Sequence, residues 1–295
     1  MDTLKNTVYI VKKIKEKLLD EFKHNDRKGL YAATQKMMAY NSNKIEGSTL
    51  TSEQTASLFD TGSLYSEGEI VFRAKDIEEM TGHFMMFNHM LKTIDEPLTE
   101  ELIKEFHFKL KSGVFEDMAN GYKVGAYKTR SNSVSDIKTT APGAVADEMK
   151  VLLERYNNKK EIQLYDLLKF HADFEQIHPF QDGNGRVGRI ILFRECLRKS
   201  IVPVIIKDET KMKYYAALHK LQINKEPDLF LKYAAQEQNL YLAETEGYLL
   251  EHENYQSENS LMKKLNVFKN DIKQRANDEN ERQRNNMYVD ITFEK

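Results

Sequence analysis

Residues 178–189 read HPFQDGNGRVGR, and the fold turns on how this stretch is taken. Gly183, Gly185 and Gly188 satisfy G-x-G-x-x-G, the dinucleotide-binding fingerprint, and a helical pattern, a short extended segment and Asp208 follow at suitable distances. That reading requires a buried strand immediately before the glycines. The preceding residues, KFHADFEQIHPFQD (169–182), instead place Phe170, Phe174 and Ile177 at helical spacing. The glycines therefore join two helices, and a mostly α fold is expected.

The rest of the chain agrees. With 5 prolines and 13 glycines in 295 residues, both breakers fall below average usage of about 5% and about 7%. Apolar periodicity predicts helices at 4–23, 28–40, 72–92, 143–157, 163–177, 184–199, 209–222 and 226–250. Thr51 and Gln54 form a capping box opening one helix, and Thr99 caps another through EELIKEFHFKL. The Asn41-Ser42-Asn43 triplet interrupts the second helix, with Ser42 capping a new turn that Gly47 stops. Residues 60–69 read as a loop, 121–136 as a loop with a short β-hairpin, and SIVPVII (200–206) as an extended segment in which Pro203 disfavours a central strand. Expected organisation is an N-terminal helical region 1–95, a core 96–250 and a polar segment 251–295, mobile from Gln256 onward.

Composition excludes several classes. The chain is 40% hydrophobic and 31% charged with a net charge of −2, so no basic excess points to nucleic acid. Cys196 stands alone, which excludes an intrachain disulfide. No stretch approaches the roughly 18 apolar residues of a membrane span. The opening residues carry charges throughout rather than an apolar signal-peptide core, and a cytoplasmic location is expected.

The motif residues suit an anion. A glycine-rich turn at a helix start exposes backbone N–H groups, and the helix dipole favours negative charge there. Arg186 and Arg189 share one helix face, so the site suits several phosphates. Asp182 at the mouth would repel phosphate unless a divalent cation, Mg²⁺ by its chemistry, lies between. Asn184 can donate to a phosphate oxygen. His178 has the ordinary pKa of a general base near neutrality. Taken singly, a histidine before proline is a turn residue and an arginine pair is a solvated face; together in twelve residues these parts resist that reading. His171, seven residues before His178, reads as a packed helix histidine rather than a metal partner, and no HExxH motif is present.

The stretch resembles the H-x-F-x-[DE]-G-N-G-R-x-x-R signature of the Fic family at every fixed position, and the likeness covers roughly 40–250. The resemblance implies a helical bundle core with a short β-hairpin flap, and transfer of AMP from ATP, with Mg²⁺, to a hydroxyl side chain of a protein. It implies that His178 is the base, Phe180 a core anchor, Asp182 the Mg²⁺ ligand, and Gly183, Asn184 and Gly185 the anion nest. Arg186 then serves the β-phosphate and Arg189 the γ-phosphate. SNKIEG (42–47) resembles the family's inhibitory [ST]-x-x-x-E-[GN] motif; this implies that Glu46 pairs with Arg189 and that Ser42 holds Glu46 through its cap. In similar proteins the same glutamate orients water to remove AMP. Tyr214 and Tyr215 match the family's tyrosine pair near adenine, while Gln222 departs from a frequent asparagine.

The implied partner is a protein substrate docking on the flap near 121–136, with self-modification and a homodimer open, and no nucleic acid or membrane. Two rival readings stay open: the same site with another donor such as UTP, and an adaptor or DNA-binding regulator with a vestigial Fic site. The complete motif argues against decay, and the polar C-terminal segment is too poor in apolar residues for a helix-turn-helix.

Overall fold

A computed structural model describes residues 2–64, 71–134, 137–250, 265–267 and 269–270. The polar segment 251–295, those few residues apart, and residues 65–69 of the expected loop lie outside the described residues. The helices are α1 (Asp2–Lys23), α2 (Leu30–Ile45), α3 (Ser52–Thr61), α4 (Ala74–Lys92), α5 (Glu100–Lys111), α6 (Phe115–Ala119), α7 (Val145–Asn157), α8 (Leu164–Ile177), α9 (Asn184–Arg198), α10 (Lys211–Ile223) and α11 (Asp228–Leu250). Their limits follow the predicted signals. Thr51 accepts from Gln54 N–H while Gln54 reaches back, closing the capping box, and Thr99 accepts from Leu102 N–H. The short α6 is absent from the sequence reading, because five residues carry no legible period.

Asn41, Ser42 and Asn43 do not interrupt α2, which runs unbroken to Ile45. The two asparagines return their amides into the helix, Asn41 Nδ2 to Met37 O and Asn43 Nδ2 to Ala39 O, each at 2.9 Å. Side chains that bond the preceding turn need not end it. The inhibitory-type turn is thus the end of α2, with Glu46 as its C-cap and Gly47 in the left-handed region (φ 89°) where a glycine stop is expected.

Helix α9 is the axis of the fold. Val187, Ile190, Phe193 and Cys196 are wholly buried, and so is Arg194. It packs against α1, α2, α4, α5 and α8, and it is buried almost all round, Arg186, Arg189 and Arg194 included. Ile10, Val11, Ile14 and Leu18 bring one stripe of α1 into the same apolar cluster. Residues 200–206 form no strand but bury Val202, Val204, Ile205 and Ile206.

Among the described residues, β structure is confined to β1 (Ser133–Val134) and β2 (Ile137–Lys138), antiparallel with Val134 opposite Ile137. Residues 121–132 are turns, bends and irregular chain with no strand, and Gly121 and Gly125 take positive φ. The expected hairpin is therefore reduced to a two-residue ladder at the end of that segment. The physical reason is that backbone groups upstream bond elsewhere: Lys128 N–H donates to Pro179 O at 2.8 Å. No helix among the described residues is long and apolar enough to cross a membrane.

Candidate active site

The α8–α9 connection is built by its own side chains. Helix α8 ends when His178 takes the left-handed conformation (φ 53°) and donates its backbone N–H to Phe174 O at 2.9 Å. A non-glycine residue there stores strain, which functional loops often carry. Phe180 is wholly buried and stacks on His107, ring centroids 3.9 Å apart and nearly parallel. Asn184 clamps it: Oδ1 accepts from Phe180 N–H and Nδ2 donates to Phe180 O, both at 2.8 Å. The amide expected to reach a phosphate is thus engaged in the loop. What Asn184 offers an anion is its backbone N–H in the first turn of α9, where such groups lack intrahelical acceptors. Gly183, at φ 83°, sets up that turn.

His178 Nδ1 lies 3.3 Å from Glu175 O. A carbonyl only accepts, so Nδ1 carries the proton and Nε2 keeps its lone pair. Burial, with Lys128 adding, pushes its pKa down to about 4, so the ring is neutral at pH 7. His171 is a packed histidine, as expected: it is buried and its Nε2 pairs with Tyr214 Oη at 2.9 Å.

Asp182 sits in a cationic frame that the motif did not announce. Lys111 Nζ lies 2.8 Å from its Oδ2, Gly183 N–H donates to its Oδ1 at 2.6 Å, and Arg186 Nη2 stands at 3.5 Å. Burial alone would raise this carboxyl's pKa, but Arg186 and Lys111 override it and hold the group far below the usual carboxylate range. Lys111 also touches Glu79 Oε1 at 2.5 Å and Asp117 Oδ2 at 2.8 Å. Arg186 bonds Glu79 Oε2 at 2.6 Å and Asn43 Oδ1 at 3.2 Å. Lys111, Glu79, Asp117 and Asn43 were missed because they come from α5, α4, α6 and α2, and nothing in their spacing says they converge. Asn43 alone lies inside the SNKIEG stretch.

Arg189 is bound by the end of α2. Its Nη2 meets Glu46 Oε1 at 2.6 Å and Ser42 O at 3.0 Å, and its Nε donates to Ser42 Oγ at 2.9 Å. The expected cap by Ser42 is replaced by a bond to the arginine, since Ser42 lies at the C-terminal end of an unbroken helix, where the orphan groups are carbonyls and not N–H groups. Gly185 makes the geometry possible: a Cβ there would collide with Glu46 Oε1 and lie 2.9 Å from Arg189 Nη1. The glutamate carboxylate thus covers the glycine turn.

Glu46, Glu175, His178, Gly185 and Arg189 line one side of a cavity of about 460 Å³, and Met212, Tyr214, Tyr215, Leu218, His219 and Gln222 line the other. That size suits a small-molecule ligand. Tyr214 is buried, Tyr215 is 42% exposed, and Gln222 donates to Ala172 O at 2.9 Å. A larger groove of about 610 Å³ between α7, α8 and Thr139–Thr140 holds none of the motif's groups. Among the described residues no three or more His, Cys, Asp or Glu side chains gather as a metal cluster; Asp182 is a single carboxylate.

Residues 97–195 match the profile described as "Fic/DOC family". Among curated proteins, the chain is 26% identical over 229 residues to protein adenylyltransferase fic-1 of Caenorhabditis elegans, covering 74% of this chain and 43% of that protein. It is 26% identical over 225 residues to protein adenylyltransferase Fic of Nematostella vectensis, covering 72% and 50%. The chain thus spans half or less of the length of these relatives. Among solved structures, a Fic domain containing signaling protein from Bacteroides thetaiotaomicron aligns with TM-score 0.63 at 23% identity over 93% of this chain and 97% of that one. Fic-1 of C. elegans aligns at 0.59 and 20% over 91% and 73%; at these identities the likeness concerns the fold. The profile runs from the start of α5 into α9 and takes in His178 through Arg189, so the part of the chain that carries the motif is similar to the Fic/DOC family.

Proposed function

We propose that this chain is a self-inhibited protein adenylyltransferase, which moves AMP from ATP to a serine, threonine or tyrosine hydroxyl of a protein. The observation that carries the reading is the 2.6 Å pair of Glu46 and Arg189 over Gly185, beside a neutral His178. The names of the relatives support the reaction class.

The chemistry asks little of the protein beyond position and charge neutralisation. The target hydroxyl oxygen attacks the α-phosphorus, and His178 Nε2 accepts its proton. The bond from that phosphorus to the bridging oxygen breaks, and pyrophosphate leaves with its charge met by Arg186, Arg189 and the N–H groups at the start of α9. Mg²⁺ fits the donor set: Asp182 is ionised and 35% exposed, and this ion binds through one or two carboxylates plus substrate phosphates. Asp182 would hold it, and bound there it would neutralise phosphate charge. Tyr214 and Tyr215 face the nucleobase end of the cavity.

With Glu46 in place, the γ-phosphate meets a carboxylate and Arg189 is engaged, so ATP lacks its productive pose. The glutamate side chain is 35% exposed, and in its second role it orients water to remove AMP from a modified target. A target segment docks by adding a strand to the β1–β2 edge. The deciding experiment incubates wild type and Glu46→Gly with labelled ATP and a cell lysate. Strong new labelling of proteins, this chain included, is expected from Glu46→Gly, abolished by adding Arg189→Ala. Equal labelling by wild type and Glu46→Gly would refute the lock.

A further inference from the structure

The reaction as proposed gives Glu175 no task, yet its side chain lines the same cavity as Glu46 and Arg189. Its Oε1 is shut from solvent and has no hydrogen-bond partner. It lies there because α9 has no side chain at Gly188, where a Cβ would run into Glu175 Oε1. A buried carboxyl oxygen without a partner calls for an explanation.

Its surroundings supply one. Facing it are Arg189 from α9, Glu46 from the end of α2, and Tyr214 and Tyr215 from α10; His219 lines the same cavity. On its own helix lies His171, and just beyond it His178, both neutral near pH 7. Arg189 is the cation of this set. One guanidinium therefore serves two carboxyls, and two carboxylates sharing a secluded site do not ionise together. Glu46 holds the arginine at 2.6 Å. Glu175 keeps its proton: burial pushes its pKa up to about 8, with Arg189 opposing and Glu46 adding to the rise.

Remove Glu46, and Arg189 is left buried without an anion, a costly state. Its bonds to Ser42 and Glu46 come from Nε and Nη2, so Nη1 is the arm left for another acceptor. We propose that Glu175 is a second, latent partner of Arg189: when Glu46 withdraws, Glu175 releases its proton and takes the arginine. ATP must then displace Glu175 too, and the carboxyl regains one proton as the γ-phosphate takes the guanidinium. Glu175 acts through Arg189 and is a positioning residue. The inference rests on the reading that Arg189 receives the γ-phosphate.

The sign follows from the proton count. Nucleotide binding to Glu46→Gly takes up a proton, so its affinity falls as pH rises. The test is calorimetric titration of a non-hydrolysable ATP analogue with Mg²⁺ at pH 6 to 9, in buffers of different ionisation heat. The proteins are wild type, Glu175→Gln, Glu46→Gly and Glu46→Gly/Glu175→Gln. Glutamine has the shape of the neutral acid and cannot take the arginine as an anion. The double variant is expected to bind about tenfold more tightly than Glu46→Gly at pH 8.5, the value of one charge-assisted contact, with the gap narrowing toward pH 6. Glu46→Gly should take up about one more proton per nucleotide than the double variant, and the gain from Glu175→Gln should be smaller while Glu46 is present. Glu175→Met, apolar and of similar length, provides a second variant expected to behave the same way. Equal affinities and equal proton uptake across the range would overturn the inference while leaving the lock intact, as would weaker binding by both Glu175 variants. If Glu46→Gly neither binds nor labels better than wild type, the reading beneath it fails as well.

Discussion

Arg189 Nε donates to Ser42 Oγ at 2.9 Å, so the serine in the last turn of α2 holds the arginine and not the glutamate that caps the helix. Ser42→Ala should therefore loosen the lock without removing its charge. Labelling by this variant is expected about three- to tenfold above wild type, the worth of one hydrogen bond, and below Glu46→Gly. Labelling at the wild-type level would show that the hydroxyl contributes nothing to restraint.

Removing the base should separate chemistry from binding. In the Glu46→Gly background, His178→Ala is expected to lower transfer about 10²–10⁴-fold with nucleotide affinity little changed. Because burial holds this imidazole at a pKa of about 4, Nε2 is already free well below neutrality. At saturating ATP, Glu46→Gly should lose no activity through His178 between pH 8 and 5.5. An acid limb centred near 6.5 that disappears with the histidine would contradict that burial.

The cation is tested at Asp182. Asp182→Asn in the Glu46→Gly background should cut labelling about a hundredfold or more at saturating ATP and flatten the dependence on Mg²⁺. Its frame remains, since Lys111 still has Glu79 and Asp117. Labelling by Glu46→Gly that survives EDTA unchanged would remove Mg²⁺ from the scheme.

Docking is tested at the β1–β2 edge. Proline at Val134 removes a backbone donor and is expected to reduce labelling of a protein target about tenfold. Affinity for ATP, measured alongside, should hold. A collapse of both would assign the segment to the nucleotide cavity.

Stability should fall in mild acid. His83, His107 and His171 are buried, and burial pushes each pKa down to about 3. Between pH 6.5 and that value the unfolded chain binds protons that the folded chain refuses, so stability drops as pH falls. From pH 7 to 5.5 each histidine costs about 1.2 kcal/mol. Glu175 works in reverse, because its raised pKa keeps a proton that the unfolded chain has lost, and returns about 2 kcal/mol. His178, held at a pKa of about 4, adds an equal cost, so a net loss of about 3 kcal/mol is expected from urea midpoints, and about 5 in Glu175→Gln. Greater stability at pH 5.5 than at 7 would mean that these histidines take up protons in the fold.

The sequence displayed the motif and the helices because both are local: twelve adjacent residues, and apolar stripes such as Phe170, Phe174 and Ile177. It also displayed Glu46 and Arg189 as separate patterns that resemblance could pair. It did not display Lys111 beside Asp182, since 71 residues separate them and a lysine ending a helix looks like an ordinary complement to its dipole. The cap assigned to Ser42 and the phosphate contact assigned to Asn184 failed for one reason. Short polar side chains satisfy whichever neighbour the packed fold presents, and that neighbour lay across the core for Ser42 and within the buried loop for Asn184.

Because α2 carries the Glu46–Arg189 pair at its end and part of the core along its length, the two have different clocks. Met38, Ala39 and Ile45 are buried, and exposing a large apolar side chain costs about 1.5–3 kcal/mol, so lifting the helix away would be a slow, cooperative event. The Glu46 side chain is 35% exposed, and rotamer changes of exposed side chains take about picoseconds to nanoseconds. The Glu46–Arg189 pair can thus part and re-form many times during one encounter with a nucleotide. On the proposed reading, the pair would act as a fast pre-equilibrium that lowers apparent nucleotide affinity, rather than as a gate whose opening sets the rate of binding.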